Sequence, residues 1–201
     1  MFFTKDYWKS SADKLKSTKY LAIIGLFIAM KVVISFVSIR VSENLYVSLS
    51  FLFTSVEGAI IGPVASLVSG AITDVVGYMV NSRGYSFFPG YTLSAMLGVT
   101  IYALFLYRRK ITIAKLALAK TINNYFVNVL LGSVWSAMMM SKGYIYYATQ
   151  SLIKNSILLP FEIIALIALF NMIIPTLQRQ KLIIPQDPLP LKRFAKKENI
   201  Q

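Results

Sequence analysis

Long stretches of apolar residues run through this chain and constrain its fold more than any other feature. Each is 17 to 23 residues long. A helix that crosses the roughly 30 Å hydrocarbon core of a membrane needs about 20 mostly apolar residues. The sequence therefore predicts an all-α integral membrane protein with six transmembrane helices. The six stretches are 20–39, 45–61, 64–80, 91–107, 121–140 and 152–174.

The composition agrees with a membrane protein and excludes two other classes. Hydrophobic residues make up 56% of the 201 residues and charged residues 14%, whereas soluble domains have about 45–50% and about 25%. Disordered chains are polar and poor in aromatic residues, but this one has 12 Tyr and 13 Phe. Only Gly62-Pro63 separates the second and third stretches. This predicts a tight helical hairpin, because proline ends one helix and can begin the next.

The basic residues are distributed unevenly between the two sides of the membrane. With six spans, 16 Lys and Arg residues fall on the side of the two termini, four fall on the opposite side, and Lys31 lies within a span. Because cytoplasmic loops carry the excess of basic residues, both termini are predicted to be cytoplasmic. Most of the net charge of +13 then only marks the cytoplasmic side.

Three segments follow from this topology. Residues 1–19 place apolar side chains at helical spacing among charges, which predicts a cytoplasmic amphipathic segment lying on anionic headgroups. Residues 20–175 form the six-helix transmembrane domain, in which a ligand would bind. Residues 176–201 hold basic residues and three prolines, and we expect them to form a solvated cytoplasmic tail.

Several kinds of chemistry are missing from the sequence. The chain has no Cys and no His, so it lacks thiolate nucleophiles, disulfides, the commonest metal ligand and the usual neutral-pH general base. It also lacks the glycine-rich phosphate loop of an ATPase. The acidic residues of the spans fall singly on different helices. We therefore expect no enzyme, no metal site and no cofactor.

Four ionisable residues fall within the predicted spans, where a charge is costly and tends to face the interior of the bundle. Counted along each helix, the depths of Lys31, Asp74 and Glu162 agree, whereas Glu57 lies near the other side. A structural pair between Lys31 and Asp74 is therefore expected. Glu162 has a second interpretation, because a buried carboxylate can accept two hydrogen bonds from an amino-heterocycle.

Polar residues mark one face of the fifth span. Steps of four and seven residues place Asn124, Asn128 and Trp135 on this face. One interpretation is hydrogen bonding between helices, which contributes only about 0.6 kcal/mol per bond in membranes. The other is a pocket for a flat aromatic ligand, with the indole stacked on the ring and the amides bonded to ring nitrogens.

The loops opposite the termini combine a few basic residues with aromatic ones. These basic residues run against the positive-inside bias, so Arg83 and Lys154 are candidate anchors for a ligand carboxylate and Arg40 is a third. Arginine suits this role because its planar fork matches a carboxylate. Each single aromatic can equally be an ordinary interface residue. The other candidate binding residues in these loops are Tyr85, Phe88, Pro89, Tyr91 and Gln150.

A seam of small residues, Ala22, Gly25 and Ala29, lies on the first span. Small residues at this spacing let another helix approach closely. Lys31 follows Ala29 by two residues, about 200° around the helix. If Lys31 faces the bundle, the seam faces outward and offers a docking surface for a membrane partner.

The residues 58–77, which read GAIIGPVASLVSGAITDVVG, resemble the second-to-third helix hairpin of the substrate-binding S components of energy-coupling factor (ECF) vitamin transporters. The six-span layout and the small-residue seam agree with this family. Three further segments resemble its folate-specific members: 83–95, 120–128 with Trp135, and 152–162. The resemblance covers about residues 20–175.

This resemblance implies a multi-pass protein of a bacterial cell membrane that captures folate outside. It would dock through the seam onto a transmembrane coupling subunit carried by two ATPases, which explains the missing phosphate loop. Trp135 with Tyr85 or Phe88 would pack on the rings of folate, and Asn124, Asn128 or Glu162 would bond the pterin edge. Two other functions stay open: an S component for another vitamin, and a structural membrane protein whose aromatic loops bind another protein.

Overall fold

The computed structural model describes residues 4–40, 46–82, 84, 86–186 and 190–192, with only the backbone at 39, 40 and 47. This part of the chain is helical apart from two short strands and the loops. A 3-10 helix, Asp13–Lys16, follows α1, and a π-helix, Asn123–Leu131, joins α6 to α7. The strands are β1 (Ile39–Arg40) and β2 (Tyr46–Val47). The helices are α1 (Lys5–Ala12), α2 (Thr18–Phe36), α3 (Ser50–Ile61), α4 (Pro63–Val80), α5 (Pro89–Leu106), α6 (Ile113–Ile122), α7 (Gly132–Met139) and α8 (Tyr144–Arg179).

Four helices in the described ranges are long and apolar enough to cross a membrane, namely α2, α4, α5 and α8. Helix α3 is also apolar but has only 12 residues. The segment from α6 through the π-helix to α7 is helical without a break from residue 113 to residue 139. The prediction of an all-helical membrane fold is therefore confirmed at this level.

Helix boundaries differ from the predictions at several places, of which two concern the second and the last stretch. The second stretch becomes helical only at Ser50, because β2 first pairs antiparallel with β1, with Ile39 opposite Val47. Helix α8 continues through Pro160 and Pro175 to Arg179. Prolines are tolerated inside membrane helices because neighbouring groups can satisfy the freed carbonyls.

Close helix crossings build the centre of the bundle. A Cβ on Gly58 of α3 would lie 2.9 Å from the backbone nitrogen of Ala103 on α5, and one on Gly70 of α4 would lie 2.6 Å from the Cα of Met96. Gly62, with φ of 78°, makes the turn into α4, where Pro63 occupies the first helical position. A residue with a side chain would be strained at Gly62.

Helix α1 packs on protein, which differs from the headgroup anchor expected from the sequence. Its Ser11 is buried, donates a hydrogen bond to the carbonyl of Ile61, and accepts from the backbone N–H groups of Val64 and Ala65. The Tyr7 hydroxyl donates to the carbonyl of Ala103 at 3.3 Å. The amphipathic face of α1 therefore packs against the α3–α4 turn and the end of α5.

The C-terminal segment is not wholly solvated in its described part, and this corrects the expectation of a solvated tail. Its apolar residues Leu182, Ile183 and Leu191 pack against the main hydrophobic core. The Leu191 N–H donates to the side-chain oxygen of Asn171 at 2.9 Å. Gln186 bridges the α5–α6 loop, accepting from the N–H of Ile111 at 2.7 Å. We call this region, with α1 and the α3–α4 turn, the terminal end of the bundle.

Candidate ligand-binding cavity

Two adjoining cavities open between the helices at the end opposite the terminal end, which we call the cavity end. The rim cavity, of about 380 Å³, is bordered by residues of the α4–α5 loop such as Ser86 and Phe88. The floor cavity, of about 440 Å³, reaches inward to Tyr102 and Glu162. The residues that line both are Lys31, Tyr46, Ser50, Thr73, Tyr91 and Ala95.

A charged network forms one side of the floor cavity. Glu162 of α8 accepts from Lys120 Nζ at 3.0 Å through Oε1 and from Asn124 Nδ2 at 2.7 Å through Oε2. Lys120 and Asn124 are one helical turn apart, so both face α8. From the sequence, Lys120 is one of the 16 basic residues on the side of the termini, because the fifth predicted span begins at residue 121, and the structure corrects this assignment. The helix starts at residue 113 rather than 121, so Lys120 lies within the helix bundle. Its spacing of one helical turn from Asn124 is the sequence feature that indicates this position.

Amide side chains extend this network between the π-helix and α8. Asn128 Nδ2 approaches Asn124 Oδ1 at 3.4 Å and Asn155 Oδ1 at 3.3 Å. Asn155 itself donates to the Ser151 carbonyl at 2.8 Å. Asn155 was missed by sequence reasoning because its one-turn partner, Ser151, carries little signal in an apolar helix. Asn128 and Asn155 thus connect the helices and also line the floor cavity, whereas the fully buried Asn124 is not among the residues that line either cavity in the described chain.

Aromatic residues gather where α5 begins. Phe88 lies just before Pro89, the first residue of α5, and its ring centroid is 5.7 Å from that of Trp135 at a tilt of 55°. A Cβ on Gly90 would meet both rings, which explains the glycine. The indole N–H of Trp135 donates to Ser94 Oγ at 3.0 Å.

Phe88 and Tyr91 line the rim cavity, whereas Trp135 is not among the residues that line either cavity in the described part of the chain. Trp135 therefore supports the cavity-lining Phe88 and Ser94 from behind. Direct contact of its ring with a ligand needs these neighbours to shift.

The candidate carboxylate anchors are only partly described. Lys154 of α8 lines the floor cavity, and its Nζ donates to the Tyr46 carbonyl at 3.2 Å. Gln150 lies one turn before it on α8. Arg83 and Tyr85 lie outside the described residues, and Arg40 is described only through its backbone in β1.

The expected pair of Lys31 with Asp74 is wrong. Lys31 Nζ lies 2.5 Å from Oε2 of Glu57, and the hydroxyl of Ser69 donates to the other oxygen of that carboxylate. Asp74 accepts from Thr92 Oγ1 at 2.7 Å instead. The depths counted along the separate helices indicated the wrong partner for Lys31, because α3 starts only at Ser50 and α1 packs on its other end. Glu57 therefore lies deeper in the bundle than its distance from the α3–α4 turn suggests.

The small-residue seam lies on the outer side of α2. Ala22, Gly25 and Ala29 are exposed, and a Cβ on Gly25 would meet nothing within 4 Å. Lys31, by contrast, is 5% exposed. The opposite orientations of Lys31 and the seam agree with the angle derived from the sequence.

No group of three or more acidic residues suited to a metal ion occurs within the described ranges. No protein-family model matches the chain. The chain is 27% identical over 160 residues to the folate transporter FolT of Clostridium novyi (strain NT), across 79% of this chain and 92% of that protein. It is also 27% identical over 152 residues to the FolT of Leuconostoc mesenteroides subsp. mesenteroides, across 73% and 81%.

The fold is similar to the crystal structure of a FolT bound with folic acid. The TM-score is 0.69 at 28% identity, across 86% of this chain and 100% of that one. The matched relatives are named as folate transporters and not as enzymes, which is consistent with the prediction that the chain is not an enzyme. Within the class of membrane transport proteins, these matches confirm the resemblance to the folate-type S components of ECF transporters.

Proposed function

We propose that this protein is the folate-binding S component of an ECF transporter, a multi-pass protein of a bacterial cell membrane. The observation that carries the proposal is the fold similarity, over the full length of the compared chain, to a FolT bound with folic acid. The cavity end supports it, because it combines a polar floor, aromatic side chains and a lysine. Small-molecule sites are typically concave, with a few polar groups that fix orientation.

The floor cavity suits the pterin ring of folate. Each oxygen of a carboxylate has two lone pairs, so Glu162 can accept from Lys120 and Asn124 and still accept two N–H groups of an amino-heterocycle. Lys120 pairs with this carboxylate and orients it. Asn128 is placed beside Asn124 to bond the remaining ring edge.

The rim cavity suits the aromatic linker and the glutamate tail. Phe88 and Tyr91 offer flat apolar faces, with Trp135 and Pro89 holding the position of Phe88. Lys154 lies on the floor cavity wall next to Tyr46 and would meet a tail carboxylate. Arg83, Arg40, Tyr85 and Gln150 belong to the same proposed site on sequence grounds alone.

Topology and partners complete the proposal. Residues 20–175 would cross the membrane six times with residues 1–19 and 176–201 in the cytoplasm, so the cavity end would face outward. The seam of Ala22, Gly25 and Ala29 would dock on a transmembrane coupling subunit driven by two ATPases. A docking surface must be free in the isolated protein, and the exposure of these three residues fits that requirement.

Ligand titration of the purified, detergent-solubilised protein tests the proposal. We expect folate to quench the tryptophan fluorescence at one equivalent, because Trp135 packs against the cavity-lining Phe88. Lys154→Ala should weaken folate binding, whereas Lys142→Ala should not, because Lys142 is a basic residue that is not among those lining either cavity in the described chain. Response to riboflavin, thiamine or biotin alone would indicate another vitamin, and response to none would favour a structural protein.

Docking needs a separate test in cells that express the complete transporter. Gly25→Trp fills the seam, so folate uptake should be lost while binding to the purified protein stays unchanged. The matched control is Met172→Trp on α8, where the side chain is 79% exposed but lies away from the seam. Normal uptake by the Gly25→Trp variant would reject the seam as the docking surface.

A further inference from the structure

We propose that the hydroxyl of Tyr102 is a further ligand-binding group, which donates a hydrogen bond to an acceptor atom of the ligand's heterocycle at the bottom of the floor cavity. This inference rests on the proposed function and deepens it. It names a further atom of the protein that would bond the ring, beside the cavity-lining Glu162 and Asn128.

Tyr102 lines the floor cavity, and only 1% of the residue is exposed. Its hydroxyl has no hydrogen-bond partner among the described residues. A buried polar group without a partner is destabilising, and most such groups in proteins are satisfied. Tyr102 is therefore a cavity-lining residue whose hydroxyl is buried and unpartnered, and a ligand in the cavity can satisfy this hydroxyl.

Three other buried groups in the described part of the chain share the missing partner but not the place. The hydroxyls of Ser66, Ser133 and Tyr147 are also unpartnered, yet none of these residues lines either cavity. A ligand in the cavity can thus reach Tyr102 alone of the four. Tyr147 is the natural control, because it is the same residue type and is fully buried.

The position of Tyr102 is fixed by the helix crossing behind it. A Cβ on Gly58 of α3 would lie 3.0 Å from the Cβ of Tyr102, so α3 and α5 are in close contact at this residue. On α5, Ala95, Val99 and Tyr102 line the floor cavity at the spacing of one helix face. Tyr102 is the last of these residues along α5 and thus belongs to the deepest part of the wall.

The chemistry of the neighbours decides what Tyr102 would bind. Lys120 and Asn124 donate to Glu162, and Glu162 would accept the N–H donors of an amino-pyrimidine edge. In such a ring, acceptor nitrogens or a carbonyl oxygen alternate with the donors. These acceptors need an N–H or O–H, and the free hydroxyl of Tyr102 supplies one on the same floor. The ligand class is therefore a fused amino-oxo-pyrimidine.

Calorimetric titration of Tyr102→Phe tests the inference. One hydrogen bond to a neutral partner corresponds to about a 5- to 10-fold loss of affinity. We expect folate and pteroic acid, which lacks the glutamate tail, to lose the same factor because both carry the heterocycle. Tyr147→Phe should leave both affinities unchanged. The thermal midpoint of ligand-free Tyr102→Phe should not fall, because no protein partner is lost.

The outcomes separate this inference from the proposed function. If the unsubstituted protein binds folate and Tyr102→Phe binds it equally well, the hydroxyl has no role and the inference is wrong. An equal loss in Tyr147→Phe, or a loss confined to folate with pteroic acid unaffected, would also overturn it. If the unsubstituted protein does not bind folate, the proposed function fails and the inference falls with it.

Discussion

The two ends of the bundle treat buried polar groups differently. At the terminal end, Tyr7, Ser11 and Gln186 each bond backbone groups from distant parts of the chain. At the cavity end, Glu162 is held by two donors but retains free lone pairs, and the hydroxyl of Tyr102 lacks a partner. Polar groups whose hydrogen-bonding capacity is fully used hold chain segments together. Polar groups that border a cavity and keep unused hydrogen-bonding capacity are available to a ligand.

The largest expected effect concerns the ion pair that ties α2 to α3 and α4. Lys31→Met should lower the stability by about 3–5 kcal/mol, because it leaves the fully buried Glu57 charge without its partner. The double variant Lys31→Met/Glu57→Leu should recover most of this loss, since removing both charges also removes their desolvation cost. Thermal unfolding in detergent measures both.

Equal destabilisation of the single and double variants would show that the two residues do not depend on each other. The pair would then not hold α2 to α3 and α4.

The next effect is on the ligand. Glu162→Gln should weaken folate binding by about 100-fold or more, because hydrogen bonds to a charged group contribute about 1.5–3 kcal/mol each and the ligand would make two. Asp74→Asn is the matched control, since Asp74 lines the rim cavity and is already bonded by Thr92. Comparable losses in the two variants, measured by calorimetry, would remove the distinction between floor and rim.

A smaller effect on stability alone is expected at the terminal end. Ser11→Ala removes three hydrogen bonds to the α3–α4 turn and should cost about 1–3 kcal/mol. Folate affinity should not change, because the turn lies away from the cavity. Thermal unfolding and titration of the same sample test both statements, and a loss of affinity would mean that the two ends are coupled.

A further effect, on stability alone, is a pH dependence at Lys14. Burial, with a further contribution from the Arg108 charge, lowers the pKa of Lys14 from 10.5 to about 8. Between these values the unfolded chain still carries the proton that the folded protein has released, so stability should rise as the pH increases from 8 to 10. Below pH 8 both states are protonated and this contribution no longer changes.

Thermal midpoints measured from pH 7 to 10 check the Lys14 prediction. The rise should be smaller in Lys14→Met, which has no proton to release. A rise of equal size in this variant would assign the dependence to other groups.

The sequence predicted the parts of this molecule that depend on local pattern. Uninterrupted apolar stretches indicated the helices, and the four-residue step from Asn124 to Asn128 indicated a polar face. The pairing of Lys31 with Glu57 could not be found this way, because it depends on how far α3 is shifted along α2. The same holds for α1, whose polar residues meet the α3–α4 turn only after the bundle has formed.

Two features of the cavity lay beyond local pattern for different reasons. Lys120 was assigned to the cytoplasm because a lysine near a predicted helix end resembles a topology signal, although it is one turn from Asn124. Tyr102 lies in an apolar stretch and resembles a core residue. Its importance comes from the missing partner of its hydroxyl, which only the packed structure reveals.

The most direct test of the central claim is a structure of this protein with bound folate. We expect the heterocycle on the floor cavity, with ring N–H groups within hydrogen-bond distance of Glu162, a ring acceptor near the hydroxyl of Tyr102, and the glutamate tail toward Lys154. Folate bound in the reverse orientation, with its glutamate tail against Glu162 and Tyr102, or folate bound outside the two cavities, would contradict the account.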